Sequence, residues 1–286
     1  MKIDRKVAIV TGASRGAGRG IAAALGAEGW RVYVTGRTLV DGAAPLPGTI
    51  GAAAEGVTAA GGEGIPVQVD HADADAIAVL FERVRVESGR LDILVNNVAA
   101  IHDDLIAPGP FWEKSPELVN LLDVGLRSHY LASWHAAPMM VQQGRGLIAF
   151  TSSFGSVCYM HGPAYGAQKA GVDKFAADMG VDFQGTGVAA VSLWMGPLLT
   201  ERSSKSLAER PEQYEAFMAN AETPEFNGRL IHALYEDPNL HALNGQTLIG
   251  AELAERYGIT EAEGRRPPSY RDMLGAPRIP HPAIVR

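Results

Sequence analysis

The chain has 286 residues, 47% apolar and 20% charged, an ordinary globular composition that permits one or two domains. Its 25 basic and 32 acidic residues give a formal charge of −7 with no basic cluster, which argues against nucleic acid or an anionic membrane as main partner. A single cysteine, Cys158, excludes an internal disulfide, and neither residues 1–6 nor any later run has the apolar core of a signal or a membrane span, so a cytoplasmic protein is expected.

Residues 7–11, Val-Ala-Ile-Val-Thr, form a β-branched run that stops at a glycine, as a buried parallel strand does. The segment Thr11-Gly12-Ala13-Ser14-Arg15-Gly16-Ala17-Gly18 follows, and apolar spacing over 20–25 then predicts a helix. Gly12, Gly16 and Gly18 permit a tight turn, so that backbone N–H groups, with Ser14 and Arg15 among them, can approach a pyrophosphate at the helix N-terminus. A second strand is predicted over 32–35. Dinucleotide sites that prefer NAD carry an acid after this strand for the ribose 2′-hydroxyl, whereas Gly36 and Arg37 stand here. Arg37 can pair with a 2′-phosphate and Arg15 can clamp its other side, so NADP(H) is the expected cofactor.

Residues 41–51, rich in Gly, Ala and Pro, read as a long loop. Further strands are predicted over 65–69, 93–96, 146–151, 188–194 and 246–249, and helices over 74–87, 116–143 and 165–183. The alternation predicts βαβ units, hence an α/β, doubly wound parallel sheet with helices on both faces, in a single domain. Residues 198–225 carry no strand signal and read as mobile helices over the carboxyl edge of the sheet, where ligands bind in such folds. The domain is expected to span 1–265, with the Pro-rich stretch 266–286 as an extended or disordered tail.

Tyr165 and Lys169 are four residues apart on a predicted helix and so share one face. A nearby cation favours phenolate, which makes the tyrosine a usable acid or base on an alcohol or ketone oxygen. Phe154, Tyr159, Met160, Trp194 and Met195 flank these residues in sequence, and a pocket built from them would suit a lipophilic ketone, aldehyde or quinone. No spacing suggests a metal site.

Together, Thr-Gly-x-x-x-Gly-x-Gly at 11–18, Asn96-Asn97 after the fourth strand, Ser152, and Tyr165-x-x-x-Lys169 resemble the short-chain dehydrogenase/reductase family over residues 6–248. The resemblance implies a Rossmann-type sheet of seven parallel strands and hydride transfer between a nicotinamide and a carbonyl or alcohol carbon. It implies Asp70 near the adenine, Asn96 supporting the cofactor, Thr200 at the carboxamide, and Lys169 on the nicotinamide ribose. Ser152, 13 positions before Tyr165, is favoured over Ser153 as the serine of the catalytic set Ser152, Tyr165 and Lys169. The helices at 116–143 and 165–183 are similar to those that form the family's homodimer and homotetramer contacts. A narrower likeness, carried by residues 123–130, Ser192-Leu193-Trp194 and residues 253–258, is to a branch similar to NADPH-dependent carbonyl reductases of broad, lipophilic range. Three positions depart from the family pattern: Gly125 replaces an asparagine that helps hold a proton-relay water, Val98-Ala99 replaces Ala-Gly, and Met195-Gly196-Pro197 alters the usual Pro-Gly order. These departures motivate two alternatives, an NADP-binding protein that has lost catalysis, and a relative performing dehydration or epimerisation. His129, one turn beyond Gly125, is a candidate substitute in the relay or a packed histidine.

Overall fold

The computed structural model describes residues 5–286. Strands β1 (Val7–Val10), β2 (Arg31–Gly36), β3 (Glu63–Gln68), β4 (Ile93–Asn96), β5 (Gly146–Ser152), β6 (Val188–Trp194) and β7 (Thr247–Ile249) form one sheet in the order β3-β2-β1-β4-β5-β6-β7. All neighbours pair in parallel, with Ala8 beside both Val32 and Ile93 in the register. The order turns outward on either side of the β1–β4 pair, so a crevice opens beyond their carboxyl ends, the position where doubly wound sheets take a ligand.

The β1, β4, β5 and β6 strands are buried at every residue, which requires helices on both faces and explains their near-continuous apolar runs. Successive side chains serve opposite cores. Ala8 and Val10 pack with Ile21 and Leu25 of α1 (Gly16–Ala27), with α2 (Ile50–Ala59) and with Phe226 and Leu230 further along. Val7 and Ile9 pack instead with α3 (Ala74–Ser88) and with residues of the two helices that follow β4 and β5. The α3 helix starts at Asp73, whose carboxylate accepts from the Asp75 and Ala76 N–H groups, and stops at Gly89 in the left-handed region.

The segment predicted as one helix over 116–143 is broken. A 3₁₀ turn (Pro116–Val119) leads into the short α4 (Asn120–Leu122), then a π turn (Asp123–Arg127), and only then α5 (Ser128–Gln143). Ser128 Oγ donates to Val124 O at 2.5 Å across the wide turn. After β5 comes α6 (Pro163–Asp182), and after β6 come α7 (Glu201–Glu209), α8 (Pro211–Met218) and α9 (Pro224–Glu236). A Cβ on Gly20 would lie 2.3 Å from Pro224 Cβ, so only glycine lets α1 and α9 cross this closely. The α7 helix lies over the carboxyl edge, held by Arg202 to Asp103 at 2.8 Å, and Arg210 beyond its end donates to Ile106 O.

Two loops are more ordered than their composition suggests. The 41–51 loop ends in α2, capped by Thr49. Beyond α10 (Gly250–Tyr257), the first part of the Pro-rich stretch folds back, with Tyr270 8% exposed against Phe154 and α11 (Arg271–Leu274) after it, while residues 276–286 form no helix or strand. No helix among the described residues is long and apolar enough to cross a membrane.

Candidate active site

The β1–α1 turn lies beside β4. Gly12 (φ +65°) and Gly16 (φ +56°) adopt the left-handed conformation that glycine allows without strain. A Cβ on Gly12 would lie 2.7 Å from Val98 Cα, and one on Gly18 would lie 2.5 Å from Gly12 O. Asn97, which sequence reasoning left without a role, ties this loop to the sheet: its Nδ2 donates to Thr11 O at 2.8 Å and its Oδ1 accepts from Thr151. Asn96 is buried, with Nδ2 donating to Ser133 Oγ at 2.9 Å. Ser14 is buried in the turn. Arg15 does not project freely; it donates to Thr38 Oγ1 and to the Pro47 and Gly48 carbonyls, and so anchors the 41–51 loop. Burial lowers its pKa, partly offset by Glu201. Arg37 at the end of β2 is exposed, 3.8 Å from Asp70. Thr200 caps α7 and places its methyl next to Gly16.

No side chain caps α1 from its own N-cap position, so its first N–H groups are donors in search of an anion. One of them, Gly16 N–H, donates to Glu201 Oε2 at 2.9 Å, and Arg19 pairs with the same carboxylate.

At the end of β5 the structure separates the two serines. Ser153 Oγ lies 2.9 Å from Tyr165 Oη. Ser152 Oγ turns the other way and donates to Lys169 O at 3.4 Å. Neighbouring residues at a strand end face opposite sides, and Ser153, 12 positions before Tyr165, is the serine that meets the phenol in place of Ser152. Gly155 has its reason in the same place, because a Cβ there would lie 2.5 Å from Tyr165 Cε1. Lys169 Nζ donates to Thr151 O at 3.1 Å and sits 5.4 Å from the Tyr165 ring centroid.

The electrostatics also differ from expectation. Burial pushes the Tyr165 phenol above its ordinary value, while the Ser153 hydrogen bond pulls it down. Burial pushes Lys169 down to about 8, opposed by Asp173, so the ammonium loses part of its charge just above neutrality. Lowering of the phenol by the lysine is therefore the weaker effect in this geometry.

Around the departure at Gly125, a Cβ would meet the Gln168 side chain at 3.1–3.2 Å, and Gln168 Nε2 donates to Gly125 O at 2.6 Å. Gln168 thus fills the space a larger residue would need. His129 is packed, its Nε2 2.9 Å from Val98 O, and burial with Lys169 nearby pushes it down to about 3, so it stays neutral.

Phe154 and Trp194 are core residues. They form a core with Ile249 and Tyr270, Phe154 edge-on to Trp194 at 4.9 Å, because the last inward residue of β6 faces the packed underside. Met160 packs against that core and Met195 is half-buried. A cavity lies instead near the tyrosine, with its neighbour Ala164 in the wall. It measures about 180 Å³ and is lined by Phe111, Lys114, Leu118, Val119, Tyr159, His161 and Ala164 among others, and His161 sits edge-on to the Tyr165 ring at 5.1 Å.

A parallel sheet with a glycine turn at its switch point and a Ser–Tyr–Lys array facing it define the class of nicotinamide-dependent oxidoreductases. The family model described as short chain dehydrogenase matches residues 6–211, and the chain belongs to the short-chain dehydrogenase/reductase family. It is 38% identical over 279 residues to dehydrogenase/reductase SDR family member 1 of Homo sapiens, covering 94% of this chain and 87% of the relative. The Mus musculus counterpart is also 38% identical, over 93% and 86% of the two chains, so the chain resembles this branch. A 3-oxoacyl-[acyl-carrier-protein] reductase of Synechocystis sp. is 30% identical over 86% of this chain and 95% of its own. A crystal structure of a candidate dehydrogenase from Xanthomonas campestris, 24% identical, has a TM-score of 0.76 over 96% of both chains, which shows the fold.

Proposed function

We propose that this protein is an NADPH-dependent carbonyl reductase, or alcohol dehydrogenase in reverse, acting on a small lipophilic substrate. The observation that carries the reading is the Ser153–Tyr165 contact of 2.9 Å with Lys169 one helical turn away.

The residues fit a dinucleotide. Gly12 and Gly18 let the turn pack directly on Val98 and on its own backbone, and the α1 N-terminus, where Glu201 accepts from Gly16 N–H, offers backbone donors suited to a pyrophosphate. Gly12, Ser14, Gly16, Gly18 and Thr200 would hold it, with Asp70 toward the adenine and Lys169 on the ribose hydroxyls. Asn96, tied to Ser133, supports the sheet end beneath it. Arg37 supports NADPH: the residue that follows β2 is this exposed arginine and not an acid, so its guanidinium could pair with a 2′-phosphate, with Asp70 3.8 Å away. When bound, the nicotinamide supplies or accepts the hydride.

The chain's own residues manage the oxygen and the proton. Tyr165 and Ser153 donate to the substrate oxygen and stabilise the charge that develops on it. Tyr165 gives up its proton in reduction and takes one in oxidation, and the Lys169 charge assists both directions. The cavity's Phe111, Leu118, Val119 and Tyr159 favour an apolar substrate body. The relative named for reduction of 3-oxoacyl groups supports a carbonyl as the reacting group. Tyr130 and Trp134, exposed on α5 at 49% and 61%, support a homodimer or homotetramer. Purified protein with NADPH and a panel of lipophilic ketones, read by absorbance loss, tests the reading. Loss with several ketones supports it, and loss with none favours a binding protein without turnover.

A further inference from the structure

One turn beyond Lys169 on α6, Asp173 carries a carboxylate that the mechanism above does not use. Its Oδ1 accepts from Ser192 Oγ at 2.5 Å and its Oδ2 from Trp194 Nε1 at 2.9 Å. The hydroxyls of Ser152 and Ser156 also face it. Ser192 and Trp194 are the inward residues of β6, both fully buried, so these donors are fixed by the sheet. Burial raises the Asp173 carboxyl above its ordinary value, and the Ser156, Ser192 and Ser152 hydroxyls with the Trp194 indole, which can only donate, pull it back toward the ionised form.

Lys169 is 8% exposed, and its Nζ is held by a carbonyl, Thr151 O, which satisfies a hydrogen bond but supplies no full charge. A buried ammonium without a counter-charge gives up its proton. Asp173, at i+4 from the lysine, is placed to supply that charge across the helix turn.

We propose that Asp173 is a positioning residue for Lys169: Ser152, Ser156, Ser192 and Trp194 fix its carboxylate, and the carboxylate, one helix turn from the lysine, supplies the counter-charge that keeps the Lys169 ammonium charged beside Tyr165. The role in turnover rests on the reading of Lys169 given above; the electrostatic link does not. It also gives Ser152 a place in the site, under the lysine and not at the phenol. The other groups facing the pair leave the assignment with Asp173. Tyr165 is a neutral phenol, His129 on α5 is neutral, Cys158 bears on the tyrosine, and β5 and β6 present hydroxyls and an indole. The direction of the Lys169 shift agrees, burial pushing it down and Asp173 raising it.

The test uses the full chain without substrate. The six lysines are labelled at Cε and titrated by NMR, with Lys169 assigned from its loss in Lys169→Arg. Lys169 is expected to titrate near 8 in the parent protein and about one unit lower in Asp173→Asn. Trp194→Phe disturbs the same network but keeps the charge, and should leave the lysine within about 0.3 unit. The proposal is overturned if Asp173→Asn leaves the Lys169 titration in place, or if Trp194→Phe moves it equally. Should Asp173→Asn fail to fold, the reciprocal variant Lys169→Met is read at the Asp173 carboxyl carbon. Linkage requires the carboxyl to rise by a matching amount, and an unmoved carboxyl overturns the proposal. Because no substrate enters, an absence of ketone reduction would count against the proposed function and leave this result standing.

Discussion

Ser153→Ala and Ser152→Ala make a pair of matched perturbations with opposite expectations. In Ser153→Ala the Tyr165 hydroxyl loses its 2.9 Å partner, and the substrate oxygen loses one of two donors. Removing one preorganised donor from a developing oxyanion costs roughly 10²–10³-fold in kcat, about 3–4 kcal/mol of barrier. Ser152→Ala removes one hydroxyl proton, placed between the Lys169 carbonyl at 3.4 Å and the Asp173 carboxylate. That is a structural loss of about 1 kcal/mol, a drop of about 2 °C in Tm for a domain this large. Its kcat should stay within about fivefold of the parent, less than the tenfold that 1.36 kcal/mol would give. The assay is NADPH consumption on whichever ketone of the panel turns over best, with thermal unfolding of both variants as the control. If Ser152→Ala lost as much turnover as Ser153→Ala, the assignment of the serine by geometry would be wrong.

Arg37→Ala should raise KM for NADPH by about tenfold or more and change NADH far less, since the pair to a 2′-phosphate is the interaction that separates the cofactors while the 3.8 Å pairing with Asp70 is lost for both; equal effects on both cofactors would remove the basis for NADPH. Glu222 gives a pH prediction. It is 1% exposed, bonded by Asn227 and the Gly196 backbone, with Glu261 adding repulsion, and its carboxyl is raised from 4.5 to about 7, chiefly by burial. The folded state therefore holds this proton more tightly than the unfolded chain. The stabilisation is full below pH 4.5 and is lost as pH rises through 7, an amount of about 3 kcal/mol. Glu222→Gln, which stays neutral, should gain about that much on the parent between pH 4.5 and 8 in denaturant unfolding; a pH-independent difference would contradict the raised carboxyl.

Much of this arrangement was legible in the residues because parallel strands buried on both faces leave long apolar runs. The fourth and sixth strands were predicted with the bounds observed, and the others within two residues. Near the site the local signals competed. The 116–143 stretch has helical periodicity throughout, but Gly125 and the Gln168 amide that fills its space accommodate a π turn that periodicity does not reveal. Ser152 and Ser153 are chemically identical neighbours, and only the direction of the chain leaving β5 decides which meets the phenol. Phe154 and Trp194 looked like pocket walls because they stand beside catalytic residues in sequence, yet adjacency along a strand end puts alternate side chains on opposite faces. Asp173 was invisible for another reason. A charged residue on a helix reads as solvated, and its partners Ser192 and Trp194 lie 19 and 21 positions away, meeting it only once β6 has paired in the sheet. The tail hid Tyr270 in the same manner, since its prolines signal extension and the packing partners come from the turn after β5 and from β6.

The central claim is that Tyr165 transfers the proton beside a bound NADPH. Tyr165→Phe, compared with the parent for NADPH binding by fluorescence titration and for ketone-dependent NADPH consumption, tests it most directly. The phenol is the one group removed, so cofactor affinity should stay within about threefold while turnover falls by roughly 10²–10⁴-fold, the range for general acid catalysis. Turnover at the parent's rate with NADPH still bound would contradict the account.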